Sequence, residues 1–150
     1  MSCVGALEVQ RGAFLKTGSL ALASVAEPTA SAVSKSVDRE VARKILQIER
    51  LNVDSNGNGD KAKHLPQLKI GKDVEVFVPH IMDPEKPHYI QFIWLKDEGS
   101  DAIVAAKKFE PTDPSPPTLV AKDIKPGTML VPYAYCNLHG LWIGNSDVVA

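Results

Sequence analysis

The strongest constraint on the fold is a series of short β-rich segments, separated by proline, glycine and aspartate, that begins after Leu65. Strands at this spacing are typical of an all-β sandwich. Turn sequences such as Lys125-Pro126-Gly127 separate them, and the prolines at 114, 116 and 117 form a stiff connection. We therefore predict an all-β, immunoglobulin-like β-sandwich over residues 61–150. Its strands are predicted at residues 74–78, 89–95, 103–109, 118–121, 129–135 and 141–143.

The size and charge of the chain exclude several functional classes. With 150 residues and 44% hydrophobic content, the sequence can form one ordinary hydrophobic core and does not indicate a second full domain. The formal net charge is -1 with interspersed signs. This provides neither a basic surface for nucleic acid nor a polybasic patch for an anionic membrane. Small or transient partners are favoured.

Residues 1–32 have the features of an export signal and its processing region. Arg11-Gly-Ala-Phe-Leu-Lys precedes an uncharged run of small and apolar residues at 17–26, and Ala26 and Ala32 end possible cleavage sites. The segment resembles a twin-arginine leader in which Gly12 occupies the second arginine position. We predict a periplasmic or otherwise exported protein without a stable membrane span once mature. The alternative is a short buried helix, and the protein would then be cytoplasmic.

Residues 33–60 contain one predicted helix and one turn. Apolar residues recur near helical spacing over 37–51, and charged residues fill the other face, which predicts an amphipathic helix. It could pack on the domain, mediate assembly or act as a spacer. The following residues, 54–60, match the first half of an EF-hand calcium loop, but Leu65 stands where the motif needs a glutamate. A turn rich in glycine and asparagine is the favoured interpretation.

Cys136 needs a role other than a disulfide. The second cysteine, Cys3, lies so close to the N-terminus that a structural bond between them is improbable. His139 follows Cys136 at a spacing that lets one turn present a thiolate and an imidazole to the same centre. The other histidines, His64, His80 and His88, also lie in the β region beside turns or strand ends.

One thiolate and four imidazoles exceed the four ligands of structural zinc. They suit a square-pyramidal redox metal with a vacant sixth position, where a small molecule can react. Fe(II) with one thiolate would keep about one net positive charge and would attract a small anion.

Four short motifs occur in the order found in superoxide reductases, and the chain resembles neelaredoxin and the iron domain of desulfoferrodoxin over roughly residues 61–150. The motifs are Lys63-His64-Leu65-Pro66, His80-x-Met82 with Pro84-Glu85, His88-Tyr89-Ile90, and Cys136-Asn137-Leu138-His139-Gly140-Leu141-Trp142.

The resemblance implies a mononuclear non-haem iron that reduces superoxide to hydrogen peroxide without releasing dioxygen. Lys63 matches the family lysine that attracts superoxide and orders the water supplying protons. Backbone N–H groups of Asn137 and Leu138 would shape the surroundings of the thiolate. A homo-oligomer is also implied. Carried over by motif, the axial ligand would be Cys136 and the equatorial ligands His64, His80, His88 and His139.

The sequence departs from the family in three places. Ala62 stands where many members have a glutamate that occupies the sixth position of oxidised iron. Lys86 and Pro87 are extra residues between the second and third histidines, and Ile81 replaces a proline. The four-cysteine desulforedoxin-like domain is absent, so electrons must come from an external donor such as a rubredoxin-like protein.

Two other functional classes compete with this interpretation. A cupredoxin-like electron carrier also has a β-sandwich, an upstream histidine and a C-terminal Cys-x-x-His loop, but it commonly needs an axial methionine after the histidine. Here Gly140 and Leu141 follow His139, and Met129 precedes the cysteine. An immunoglobulin-like binding module with incidental histidines explains neither their placement beside turns nor the order of the motifs.

Overall fold

Two antiparallel β-sheets form the body of residues 33–150, which are the residues that the computed structural model describes. The predicted leader, residues 1–32, lies outside them. The elements are helices α1 (Arg39–Leu51) and α2 (Lys61–His64), and strands β1 (Gln67–Ile70), β2 (Val74–Phe77), β3 (Ile90–Asp97), β4 (Ala102–Lys108), β5 (Thr118–Ala121), β6 (Met129–Cys136), β7 (Gly140–Ile143) and β8 (Asp147–Val148).

The smaller sheet has the order β1-β2-β5, and the larger has the order β4-β3-β6-β7 with β8 paired to β6. Alternation along β2 and β3 directs Val74, Val76, Ile93 and Leu95 into one shared apolar cluster between the sheets. The predicted all-β class is thus confirmed at the level of two antiparallel sheets with little helix. The sequence did not predict β1 and β8, which are both short. Strand β1 exposes every second residue, and β8 exposes both of its residues.

The amphipathic helix α1 packs on the larger sheet. It begins after Asp38, whose carboxylate accepts hydrogen bonds from the backbone N–H groups of Glu40 and Val41 at 2.9 and 3.0 Å. Ala42 and Ile45 lie in a second apolar cluster with Phe92 and Trp94 of β3. Because residues 92 and 94 alternate with 93 and 95, α1 covers the sheet face opposite to the smaller sheet. Of the three roles left open by the sequence, packing on the domain is the one observed.

Polar contacts also fix the C-terminal half of α1. The Glu49 carboxylate accepts hydrogen bonds from the Trp94 indole at 2.9 Å and from the Lys96 ammonium at 3.2 Å. Lys96 is buried and pairs with Asp101 as well. Neither helix of residues 33–150 has the length and apolar composition needed to cross a lipid bilayer.

Residues 54–60, the segment with the predicted turn, form an irregular loop with bends at residues 56, 58 and 59. The Asn56 side chain donates to the carbonyl of Ile143 at 2.8 Å and accepts from its N–H at 2.6 Å. Its backbone N–H donates to Leu141. These bonds attach the loop to β7, so the Asn56 side chain stabilises the backbone conformation of the loop. Within residues 33–150, the one converging group of possible metal ligands lies elsewhere.

Candidate metal centre

His64 is held by the short helix α2. Asp60 caps this helix, with its carboxylate accepting from Ala62 N–H at 2.9 Å and its carbonyl accepting from His64 Nδ1 at 2.8 Å. A carbonyl can only accept, so Nδ1 carries the proton and Nε2 presents a lone pair. Nε2 is buried and has no hydrogen-bond partner within residues 33–150. A buried, unpaired acceptor is costly unless a ligand occupies it, and a metal ion is such a ligand.

His80 and His88 lie on the irregular connection between β2 and β3. His80 follows the end of β2 and is 5% exposed, and His88 stands just before β3. Their Nε2 atoms are 3.2 Å apart. The chain therefore returns on itself between these residues and brings both rings to the same end of the two sheets.

Cys136 and His139 flank the turn between β6 and β7. Cys136 is fully buried at the end of β6 and pairs in register with Ile90, which brings the ends of β3 and β6 together. Gly140 closes the turn at φ 75°, a left-handed conformation that glycine adopts without steric cost. His139 Nδ1 lies 3.6 Å from Cys136 Sγ and 3.0 Å from His88 Nε2.

All five predicted ligands thus meet at one place. The ligand atoms of His64, His80, His88 and Cys136 lie within 4.8 Å of one another, and His139 Nδ1 contacts two members of this group. Ligands that share one ion at about 2.0–2.3 Å are themselves separated by up to about 4.6 Å, so the observed limit of 4.8 Å requires only a small contraction on binding. The spacing and the mixed nitrogen and sulfur donors therefore fit a single transition-metal ion.

Burial favours the neutral form of three imidazoles, those of His64, His80 and His88. It lowers the pKa of His64 and His88, and it lowers that of His80 from 6.5 to about 4, because a charged ring loses its hydration. Positive charge on the neighbouring histidines lowers the pKa of all three further. Neutral rings offer the lone pairs that a metal ion needs.

Ionisation of the buried Cys136 thiol would be favoured by a bound cation. Burial raises the pKa of the thiol, and hydrogen bonds from the backbone N–H groups of Leu138 and His139 oppose this effect. The Leu138 N–H group therefore donates to the sulfur as predicted, whereas the predicted contact of the Asn137 N–H group with the sulfur is not found. The Asn137 N–H donates to the carbonyl of Tyr89 at 3.2 Å, since the backbone of β6 still bonds to the adjoining strand at this point. A metal ion at Sγ would stabilise the thiolate.

Lys63 lies at the surface next to His64. Its side chain is exposed, and it takes part in none of the ion pairs of residues 33–150. Its charge contributes to the lowered pKa of His64. Ala62 precedes it on the exposed side of α2, so this position supplies no carboxylate to the centre.

Two residues that pack against the candidate ligands were not predicted from the sequence. Trp142 is fully buried and stacks on the His64 ring at 5.2 Å, with an angle of 19° between the planes. Gly59 has φ 126°, and a Cβ there would lie 3.1 Å from the His139 ring. Only the short helix that holds His64 had a local signal in the sequence: Asp60 is a typical helix N-cap and stands just before residues 61–64.

The ligand group also differs from that of a cupredoxin. Blue-copper sites use two histidines and one cysteine with a weak axial ligand, whereas three histidines and the cysteine converge here and a fourth histidine touches them. Met129 begins β6 and Cys136 ends it, a separation of about 23 Å at the usual rise per strand residue. Met129 therefore lies too far away to be the axial ligand.

Several known proteins are similar to this chain. A family model described as desulfoferrodoxin matches residues 56–145, which include every candidate ligand. The chain is 36% identical over 85 residues to a desulfoferrodoxin homolog of Archaeoglobus fulgidus, covering 55% of this chain and 62% of that protein. It is 35% identical over 82 residues to a desulfoferrodoxin of Clostridium acetobutylicum, covering 53% and 59%. The chain therefore spans about six-tenths of the length of the curated relatives it matches.

Among solved structures, the crystal structure of the superoxide reductase from Treponema pallidum is similar at a TM-score of 0.51 and 29% identity. The match covers 62% of this chain and 75% of that one. The similarity supports the mostly β fold. Helix α1 ends before residue 56, where the family match begins, so it lies outside the matched region.

Proposed function

Because this chain belongs to the desulfoferrodoxin family, we propose that it is a superoxide reductase whose mononuclear non-haem iron is held by Cys136 and four histidines. The observation that carries the proposal is the convergence of this ligand group around the buried, unpaired Nε2 of His64. In the proposed arrangement Cys136 would be the axial ligand, and the equatorial ligands would be His64, His80, His88 and His139.

The reaction combines superoxide, one electron and two protons to give hydrogen peroxide. An iron ion held by these residues would supply the electron, since iron has stable ferrous and ferric states. The neutral imidazoles leave the positive charge of the ion in place, and the one thiolate removes only part of it. The centre therefore attracts an anion as small as superoxide.

Lys63 assists at the surface. Its exposed ammonium, which forms no ion pair within residues 33–150, raises the local concentration of superoxide near the centre. The same ammonium orders the water that supplies protons to the reduced product. Leu138 and His139 donate backbone hydrogen bonds to the sulfur of Cys136, and such bonds tune how readily a metal centre gives up an electron.

Two features of this chain affect how it would carry out the proposed reaction. Ala62 supplies no carboxylate, so the sixth ligand of an oxidised ion would be solvent, hydroxide or a different carboxylate. Residues 33–150 contain one cysteine, Cys136, so these described residues hold no four-cysteine iron site. We infer that each turnover draws its electron from a separate donor, such as a rubredoxin-like protein.

The decisive experiment measures both metal and product. Purified protein is loaded anaerobically with iron, analysed for metal content and paramagnetic resonance, and then supplied with superoxide and a reductant. A reductase gives one hydrogen peroxide per superoxide consumed and releases no dioxygen, whereas a dismutase gives one hydrogen peroxide and one dioxygen for every two. One type-1 copper per chain, or no bound metal, would overturn the proposal.

Cys136→Ser tests the axial assignment, and Cys3→Ser is the matched control. We expect Cys136→Ser to lose the thiolate-to-iron absorption band and the reductase activity, while some iron remains on the histidines. Cys3 lies in the predicted leader, so its substitution should change neither. Retained activity in Cys136→Ser would show that the cysteine is not a ligand.

We further propose that residues 1–32 direct export, that residues 61–150 are the iron-binding, immunoglobulin-like sandwich, and that the mature protein is a homo-oligomer. The leader pattern supports the first, the family match the second and the family resemblance the third. Cell fractionation with N-terminal sequencing tests export, and a full-length cytoplasmic product contradicts it. An experimental structure and sedimentation analysis test the other two, and a different sheet arrangement or a monomer would refute them.

A further inference from the structure

The side-chain amide of Asn137 forms two hydrogen bonds with the backbone on either side of His88. Its Nδ2 donates to the carbonyl of Pro87 at 2.7 Å, and its Oδ1 accepts from the N–H of Tyr89 at 2.9 Å. The Asn137 backbone N–H adds a bond of 3.2 Å to the carbonyl of Tyr89. The orientation of the amide is unambiguous, because a carbonyl can only accept and an N–H can only donate.

These bonds join two parts of the centre that are distant in sequence. Asn137 lies 50 residues from Pro87 and 48 from Tyr89, and it directly follows Cys136. One amide therefore ties the connection that bears His88 to the strand end that bears the cysteine. Its Oδ1 lies only 3.9 Å from Cys136 Sγ, so a shift of the amide also changes the surroundings of the sulfur.

Other restraints on His88 are weaker. Its own backbone exchanges bonds with Asp83 at 3.3 and 3.4 Å, which are long for N–H···O bonds. Its segment is irregular until β3 begins at Ile90. The connection between β2 and β3 spans residues 78–89, and a connection of this length costs entropy to fix in one conformation. The Asn137 amide bonds directly to Pro87 within it.

We propose that Asn137 is a positioning residue, which sets the place of the His88 imidazole relative to Cys136 and thereby prepares the metal centre. This inference rests on the proposed function as an iron enzyme and adds to it a residue that touches neither substrate nor metal. The placement accounts for His88 Nε2 lying 3.0 Å from His139 Nδ1 and 3.2 Å from His80 Nε2.

The test compares three full-length variants. Asn137→Ala removes both side-chain bonds. Asn137→Asp keeps an acceptor for Tyr89 N–H but sets a carboxylate oxygen against the Pro87 carbonyl, and it provides a second variant if alanine fails to fold. Asn52→Ala is the matched control, since the Asn52 amide donates to the Ile48 carbonyl at the end of α1 and forms no hydrogen bond with a ligand residue.

Two readouts that do not depend on activity are measured on each iron-loaded variant. Amide hydrogen exchange at Tyr89 should become at least about tenfold faster in Asn137→Ala, because its N–H loses its acceptor. The ferrous affinity, measured by anaerobic chelator competition, should fall about ten- to a hundredfold, as is usual when a residue that orients a ligand is lost. Asn137→Asp should lie between wild type and alanine, and Asn52→Ala should match wild type in both readouts.

An affinity within about twofold of wild type in Asn137→Ala overturns the proposal, whether or not exchange at Tyr89 becomes faster. An equal loss of affinity in Asn52→Ala also overturns it, because general destabilisation would then be the cause. The superoxide assay separates this inference from the proposed function. A wild-type protein that binds iron but does not reduce superoxide refutes the enzyme, whereas an active wild type with an unaffected Asn137→Ala refutes the positioning role alone.

Discussion

The Nδ1 atom of His64 donates a 2.8 Å hydrogen bond to the backbone carbonyl of Asp60, the residue that also caps the helix carrying His64. One residue therefore fixes both the helix start and the tautomer of the ring. We expect Asp60→Ala to lower the free energy of unfolding by about 1 kcal/mol through loss of the cap. It should also weaken ferrous binding about tenfold, because the carbonyl that orients the ring shifts with the helix end.

Asp60→Asn is the matched control for this prediction. Asparagine caps helices about as well as aspartate, so both stability and metal affinity should stay near the wild-type values. Urea unfolding and chelator competition measure the two quantities. Equal losses in both variants would attribute the effect to the charge of Asp60 and contradict the capping role.

Lys63 should affect the rate at which superoxide reaches the centre, and it should not affect metal binding. Its ammonium is exposed and free of ion pairs within residues 33–150, and steering by such a charge is screened by salt. We expect Lys63→Ala to slow superoxide consumption about tenfold at low ionic strength, to reduce its salt dependence and to leave the iron content unchanged. Pulse radiolysis at several salt concentrations measures the rate.

The control for Lys63 is Lys61→Ala, which removes the same charge from the same short helix. Residues two apart on a helix face different directions, so Lys61→Ala should have a much smaller effect. Equal effects of the two substitutions would mean that net charge, and not the position of Lys63, sets the rate. An unchanged rate and salt profile in Lys63→Ala would remove this residue from the mechanism.

The stability of the metal-free protein should depend on pH through its buried histidines. Burial lowers the folded-state pKa of His64, His80 and His88 below 6.5, and that of His80 reaches about 4. The unfolded chain then binds more protons than the folded chain as the pH falls below 6.5. Their stabilising contribution is therefore complete above pH 6.5 and is lost towards pH 4, with His80 alone accounting for about 3 kcal/mol.

Urea unfolding of the metal-free protein between pH 7.5 and pH 4 measures this dependence. His80→Gln should flatten the curve, because glutamine does not titrate. Substituting the exposed Gln47 by histidine provides the control, since a solvated imidazole titrates alike in both states and adds no slope. A wild-type curve as flat as that of His80→Gln would contradict the neutral, buried state of the ring.

The sequence predicted most strands, the helix and the histidines and cysteine that the structure brings together. Alternating and helical periodicity indicate which residues of a strand or helix face the core. The strand at 74–78 and the helix at 37–51 could therefore be predicted from the sequence. Strand β1 could not, because Gln67–Ile70 is short and only half-buried. The support of the ligands by Asn137 was also missed, since its side-chain bonds join positions 48 and 50 residues apart. No local pattern specifies such pairing.

Helix α1 should stabilise the domain without forming part of the centre. Ile45 is fully buried against the larger sheet, on the face opposite to the smaller one. We expect Ile45→Ala to lower the free energy of unfolding by about 3 kcal/mol, because it removes buried apolar area and leaves a cavity. The absorption spectrum of the iron-loaded protein should not change under native conditions, since Ile45 belongs to a separate apolar cluster from Cys136.

Gln47→Ala is the control on the same helix, because residue 47 is exposed and alanine has the higher helix propensity. Its free energy of unfolding should stay within about 0.5 kcal/mol of wild type. Guanidinium unfolding followed by circular dichroism and by the iron absorption distinguishes helix loss from loss of the centre. A loss below about 1 kcal/mol in Ile45→Ala would mean that the helix is not docked on the sheet in solution. Separate transitions for the two signals would mean that it unfolds independently of the sandwich.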